Sequence, residues 1–233
     1  MESLRRCTTG GLWITLVLAS GWYATCITCG LGKAGIAPLK IELPPKVYRD
    51  TPENLSKIPN LEKMRNTPRP AFYAPVGASN VALGKGVTAS DDMPIIGELA
   101  MMTDGDKQAQ DGSYVELGPL MQHVTIDLET TCEIYAVVVW HWHMQGRVYF
   151  DVVVQVADDA DFTQSVRTLF NSDIDNSAGL GVGKDKHYVE THEGKLIDAK
   201  GQQARYVRLY SQGNQANDLN HYTEVEIWGK PVH

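Results

Sequence analysis

The chain has 233 residues, a hydrophobic content of 43% and a formal net charge of −7. That length suffices for one well-cored domain with additional segments, and the hydrophobic share excludes a mainly disordered chain. The acidic balance, with no Lys/Arg-rich block, argues against nucleic acid or an anionic membrane surface as the main partner, since both select clustered positive charge.

The N-terminus reads as an export segment. Arg5 and Arg6 precede an apolar run from Leu12 to Ala19, and Val17-Leu18-Ala19 and Ala19-Ser20-Gly21 offer small residues for cleavage. The run from Gly10 to Thr28 also has the length of a membrane span. Residues 1–30 are therefore predicted to be a signal peptide or a membrane or lipid anchor, with both readings open. Cys26 suits a lipid anchor by position, although Tyr23-Ala24-Thr25 before it suits one poorly. No His follows Cys29, which excludes a c-type haem site, and no further zinc ligands are near. The predicted location is exported, periplasmic or at the cell surface, with membrane contact only through this segment.

Residues 31–75 hold eight of the eleven prolines. Proline removes backbone donors and stiffens the chain toward an extended form, so this stretch is predicted to be a linker or a surface arm. A short helical turn is expected between Glu53 and Met64, after Pro52.

From residue 76 to 233 the pattern is short strands separated by Gly, Asp and Asn turns. Asn80 to Ser90 reads as strand, turn and strand. Met102-Thr103-Asp104-Gly105-Asp106 is a tight acidic turn. Val124, Ile126 and Leu128 alternate with polar residues, as on a half-buried strand. Ile134 to Trp142 is apolar on both faces, as in a central strand covered on each side. Asp151–Val156, Arg205–Tyr210 and Glu224–Trp228 complete the set. The expected fold class is all-β, a β-sandwich or jelly roll. Cys132 has no disulfide partner in this part, so the core must hold the fold.

Five segments occur in the order of one family. They are Asn80-Val81-Ala82-Leu83-Gly84-Lys85 with Val87-Thr88-Ala89-Ser90, Thr103-Asp104-Gly105-Asp106, Val124-Thr125-Ile126-Asp127-Leu128, Arg205 to Tyr210, and Thr223 to Gly229. Together they resemble the discoidin, or coagulation-factor type C, domain of the galactose-binding-like fold, over about Ala78 to Pro231. Two departures matter. The family often has a Trp soon after the acidic turn, where this chain has Gln108 to Tyr114, and the cysteines that tie the ends of animal members are absent. The departures point toward the bacterial carbohydrate-binding branch and away from phospholipid-binding members.

A turn with Asp104 and Asp106 can aim two carboxylates and several carbonyls at one point, and Gly105 lets the backbone bend between them. The residues alone leave two readings open, a calcium site or a solvated Asx turn. The family resemblance implies a structural calcium, with Glu224 of the closing strand completing a site that includes Met102, Asp104 and Asp106. A second acidic run, Asp158-Asp159-Ala160-Asp161, reads as an exposed turn. Gly179 to Lys184 lacks the spacing of a phosphate loop and reads as a flexible loop.

Trp140-His141-Trp142-His143 is an unusual string. On a strand, His141 and His143 would share a face and could ligate a transition metal if a third ligand converged. The same region offers Trp142, His143, Arg147 and Tyr149 for stacking and hydrogen bonding to a sugar. The amide-rich run from Gln212 to His221 is longer than a hairpin requires, which adds Asn217, Asn220 and His221 as ligand-binding candidates. No nucleophile-elbow or paired-carboxylate pattern marks an enzyme. The expected function is a non-catalytic exported module for glycan or polysaccharide recognition or surface adhesion. The alternatives are docking of another exported protein and, last, a metal-dependent enzyme centred on His141 and His143.

Overall fold

Alternation of apolar and polar residues, interrupted by turn formers, produces strands, and strands are what the computed structural model contains. It describes residues 35–47 and 54–232. The predicted signal or anchor segment, with Cys26 and Cys29, lies outside the described residues. Two short 3-10 turns, Leu55–Lys57 and Leu99–Thr103, are the only helical elements among the described residues. The first falls inside the stretch where a helical turn was expected.

Eleven strands follow in order: β1 (Ile36–Pro38), β2 (Tyr73–Pro75), β3 (Ser79–Asn80), β4 (Val87–Ala89), β5 (Val115–Leu117), β6 (Gln122–Trp140), β7 (Val153–Ala157), β8 (Arg167–Asn171), β9 (Lys195–Ser211), β10 (Asn220–Tyr222) and β11 (Glu224–Pro231). The main sheet runs β3-β11-β6-β9-β7-β8, with β4 also paired to β6, and every pairing is antiparallel. Two long strands organise it. The first half of β6 pairs with β4 and with the last residues of β9, and the second half pairs with β11 and with the first residues of β9.

Each long strand bends where its register slips. In β6 the slip falls between Asp127 and Cys132, with Glu129 at φ 65° and its N–H donated to Asp127 Oδ1 at 2.7 Å. In β9 the bend is at Lys200 and Gly201, both at positive φ. Bulges of this kind turn one strand from one layer into the other. Arg205 fixes the first bend by a two-pronged pair to Asp127, at 2.7 and 2.8 Å.

The layers close on one core. Val87, Ile126, Val207 and Val156 stand in one cross-strand row, and Ala89, Val124, Leu209 and Val154 in the next. From the other half, Val137, Val139, Val225 and Ile227 join the same buried cluster. Cross-strand contacts between β-branched residues are the unit of sheet stabilisation. The expected β-sandwich is therefore present, with an antiparallel order. Ile134 to Trp140 is buried throughout, as expected of a strand covered on both faces. The strand ends at Trp140, so His141 and His143 lie beyond it and do not share a strand face.

The proline-rich stretch is laid against the sandwich. β1 pairs with β2, Leu61 bridges to His187, and Arg65 meets Glu193 at 2.9 Å. The Gly179–Lys184 loop, expected to be flexible, is tied down. Asn171 Nδ2 donates to the Gly181 carbonyl at 2.8 Å, and Gly183 packs so tightly that a Cβ would fall 2.3 Å from the Asn171 carbonyl oxygen.

Candidate functional site

Beyond Trp140 the chain crosses one end of the sandwich. Trp140 itself is buried, and its Nε1 donates to the His192 carbonyl at 3.0 Å. The next residue, His141, turns inward and stacks on Tyr149 with centroids 4.3 Å apart. Its Nδ1 lies 2.6 Å from Glu190 Oε1, and both side chains are fully buried. Trp142 turns the other way. It is half-buried and donates Nε1 to the Ala109 carbonyl at 2.9 Å.

Three elements bring an aromatic and polar patch together around Trp142. Tyr114, just before β5, lies 5.7 Å from it, and His221 of β10 lies 6.3 Å from it. The Arg147 guanidinium stacks over its ring at 4.3 Å, a cation–π contact. His221 stands directly opposite Glu116 in the β10–β5 pair, and its Nε2 is 2.9 Å from Glu116 Oε2. This contact is a hydrogen bond from a neutral ring and not an ion pair. Burial, aided by the charges of Arg147 and His141, pushes the His221 imidazolium down to about 3. Burial also raises the Glu116 carboxyl above its ordinary range.

The amide-rich loop runs beside this patch. Gln212 N donates to the Phe150 carbonyl at 2.9 Å, and Gln215 N donates to that of Val148 at 3.1 Å. Asn217 is exposed at its tip, with Oδ1 accepting from Asn214 Nδ2 at 2.8 Å. Of the residues predicted from sequence, Trp142, Arg147 and His221 come together and Asn217 stands on the adjoining loop.

Two predicted ligand residues are spent on structure. Asn220 is fully buried. Its Nδ2 donates to the Gly118 and Leu120 carbonyls at 2.9 and 3.0 Å, and its Oδ1 accepts from Ser211 Oγ and Gly213 N at 2.8 and 2.9 Å. Every hydrogen-bonding position of the amide is used, so Asn220 pins the loop and has nothing to offer a ligand. His143 is buried and donates Nε2 to the Lys107 carbonyl at 2.9 Å, which holds the loop after the acidic turn. Tyr149, expected to face a sugar, is instead buried against His141, and Tyr114, Glu116 and Glu190 were not singled out from sequence. Tyr114 had a signal, because it lies in the stretch that replaces the family's Trp. Glu190 had none, since its partner His141 is 49 residues away.

The acidic turn is a second, separate place. Asp104 Oδ1 accepts from Asp106 N at 2.7 Å, and Asp106 Oδ1 accepts from Gln108 N at 2.9 Å, so both form Asx turns. Glu224 reaches in from β11. Its Oε2 accepts from Gly105 N at 3.1 Å, while Oε1 is buried without any donor. Burial first, then the nearby charges of Asp104 and Glu226, push its carboxyl up to about 9. An acid shifted this way lacks a cation, and a calcium ion suits a buried, donor-free carboxylate oxygen beside a second carboxylate. Met102 is buried in the core, so only its main-chain carbonyl could contribute.

Another acidic group was not foreseen. Oxygens of Asp151, Asp173 and Asp175 lie within 4.8 Å of one another. Asp173 is fully buried, and its oxygens accept from the N–H groups of Asp175, Ser177 and Ala178 at 3.3, 3.1 and 2.9 Å. This group contains no histidine, and His141 with Glu190 is sealed from solvent. Among the described residues, no third metal ligand is assembled around His141 and His143, and the His141 ring is buried.

A cleft of about 730 Å³ lies elsewhere, between the arm and the segment before β9, lined among others by Met64, Arg65, Arg69, Tyr188, Glu193 and Lys195. Its charges are largely matched internally. Arg65 pairs with Glu193 at 2.9 Å, and Lys195 pairs with Glu62 at 2.9 Å. None of the patch residues lines it. Unpartnered buried atoms occur at both places, Glu190 Oε2 beside the cleft and Arg147 Nε and Nη1 and His221 Nδ1 at the patch.

No protein-family model matches the chain, and no curated protein matches it. Among solved structures, the chain is similar to a truncated AlyQ with CBM32 and alginate lyase domains, at 18% identity and a TM-score of 0.46, over 64% of this chain and 32% of that one. It is similar to a family 89 glycoside hydrolase from Clostridium perfringens, at 17% identity and a TM-score of 0.48, over 65% of this chain and 15% of that one. The chain therefore spans a third or less of the length of these two. It is also similar to a fucose-binding module from Streptococcus pneumoniae, at 19% identity and a TM-score of 0.45, over 64% of this chain and 96% of that one. At TM-scores below 0.5 these are likenesses only, and the architecture rests on the strand order and registers given above.

Proposed function

We propose that the chain is a non-catalytic glycan-binding module and that its ligand face is the Tyr114–Trp142–Arg147–His221 patch. The observation that carries this reading is a half-buried indole flanked by a second aromatic ring, 5.7 Å away, and by a guanidinium 4.3 Å over its plane. Sugars present apolar C–H faces to aromatic rings and hydroxyls to planar polar groups, and the patch offers both within one span. The strand pair β5–β10 and the clamped amide loop give that face a rigid support. The solved structures to which the chain is similar include a module named for fucose binding, which agrees with this reading without carrying it.

We also infer a structural calcium at the acidic turn. Glu224 Oε1, Asp104 and main-chain carbonyls of residues 102–106 would hold it. A calcium ion there would neutralise the buried Glu224 and fix the loop that Trp142 and His143 contact through Ala109 and Lys107. Export to a periplasm or cell surface remains part of the same reading, because glycans and millimolar calcium are both found outside the cytosol.

Protein docking is the second reading. Met93, Ile95 and Leu120 are exposed at 80, 58 and 75%. They sit on loops joined through Asp91, whose Oδ2 accepts from Gly118 N at 2.9 Å. A screen of the full chain against glycans and polysaccharides, repeated with Trp142→Ala, separates the two. The expected result is specific binding that weakens about tenfold or more without the indole. Silence across a broad panel from a folded chain would remove the glycan reading and leave docking.

A further inference from the structure

Arg147 is the charged side chain at the patch that has no ion-pair partner, its polar neighbour being the buried Tyr149 hydroxyl. Its Nε and Nη1 are buried with no acceptor. No carboxylate among the described residues lies within 4.0 Å of its guanidinium. Glu116 feels the Arg147 charge but makes its short contact with His221, at 2.9 Å, and not with the guanidinium. Asp111 acts on Tyr114 from an exposed position. The guanidinium therefore keeps its charge, is poorly hydrated on the side that faces the protein, and reaches the surface only at Nη2.

Guanidinium cannot relieve this by losing a proton. A neutral hydroxyl arriving at Nη2 would accept a hydrogen bond and leave the charge unpaired. A carboxylate would do both, and a charge-assisted bond is about twice as strong as a neutral one. We propose that the glycan taken at this face is acidic, a uronic acid or another carboxylate-bearing sugar, with Arg147 as the residue that reads the carboxylate while Trp142 and Tyr114 take the ring. This rests on the glycan reading above. The chain's net charge of −7 does not oppose it at short range, because repulsion from distant acids is screened beyond about 8 Å at physiological salt.

The test uses matched pairs that differ only at one carbon. Oligogalacturonate, oligomannuronate and oligoglucuronate are each titrated into the full chain beside their carboxyl-reduced counterparts, at two salt concentrations. At least one acid is expected to bind about tenfold or more tightly than its reduced form. That preference should shrink at high salt, which requires no variant. Arg147→Met keeps the stem packed on Trp142 and is expected to erase the preference, costing the acid about tenfold more affinity than it costs the reduced oligomer. A circular-dichroism melt verifies that the variant folds, and Arg147→Lys, which restores charge, should recover part of the preference. If acid and reduced forms bind equally and indifferently to salt, the carboxylate inference falls and the glycan reading stands. If neither form nor any neutral glycan binds, both fall together.

Discussion

Two acidic turns in this molecule look alike in sequence and differ in what they leave undone. One is Asp104-Gly105-Asp106 with Glu224, and the other is Asp173-Ile174-Asp175 with Asp151. The second packs its oxygens more closely, within 4.8 Å of one another, yet its buried member, Asp173, takes three backbone N–H groups. In the first, Glu224 takes one N–H, from Gly105, and keeps a buried oxygen with none. Crowding of carboxylates is thus a poor guide to a cation site. The oxygens of Asp173 have their demand met inside the chain, whereas Glu224 Oε1 does not, and this difference is what the calcium proposal rests on.

The strongest way to break this comparison is to remove Asp173. Asp173→Ala takes an acceptor from three loop N–H groups, of which Ser177 N alone keeps another, Asp175 Oδ1 at 3.1 Å, and is expected to cost about 3 kcal/mol, or roughly 6–12 °C in Tm for a domain of this size. The loss should be the same in calcium and in chelator. A calcium-dependent loss would make the second turn a metal site and reverse the assignment.

Glu224 should behave in the opposite way. Calcium at about a hundred times its Kd is expected to stabilise the unmodified full chain by about 2.7 kcal/mol, roughly 5–11 °C in Tm. Glu224→Gln should abolish the rise, and in chelator it should melt close to the unmodified chain, since burial holds the metal-free Glu224 in its neutral form, which the amide matches in shape. Equal melting curves for the unmodified chain in calcium and in chelator would sink the calcium proposal.

The same distinction explains what was legible in the sequence. Strands read well because alternation in Val124–Leu128, Arg205–Tyr210 and Glu224–Trp228 is a local signal, and the two-sided burial of Ile134–Trp140 follows from its unbroken apolar run. The bends in β6 and β9 did not read, because Glu129 and Lys200 carry no composition mark for positive φ. Residue type picked out Trp142, Arg147 and His221, which the fold gathers at one end of the sandwich, but could not sort the members of that end. Asn217 and Asn220 belong to one amide run, yet one is exposed and the other has its whole amide consumed by Ser211, Gly213, Gly118 and Leu120. The difference lies in contacts over about a hundred positions, which a local pattern does not contain. His143 illustrates the same limit. It was expected on a strand face with His141, but the strand stops at Trp140 and the ring donates to Lys107 instead.

His221 gives the smallest effect and the finest test, because it belongs to both classes at once. Its Nε2 is met by Glu116 and its Nδ1 is buried without a partner. Folding holds the ring neutral, with its protonation pushed down to about 3 from an ordinary 6.5. Between those values the unfolded chain binds the proton and the folded chain does not, so stability falls as pH falls through that window. At pH 5.5 the cost is about 1 kcal/mol, roughly 2–4 °C in Tm relative to neutral pH. Burial lowers His123, His187 and His192 as well, so they share the acid loss. His221→Gln keeps a donor for Glu116 and cannot titrate. Its melting point should therefore change less between pH 7 and 5.5 than that of the unmodified chain, with the remainder set by the other histidines. An unchanged pH dependence in this variant would mean that the ring is already solvated or paired at Nδ1, and the patch would lose one of its unmet groups.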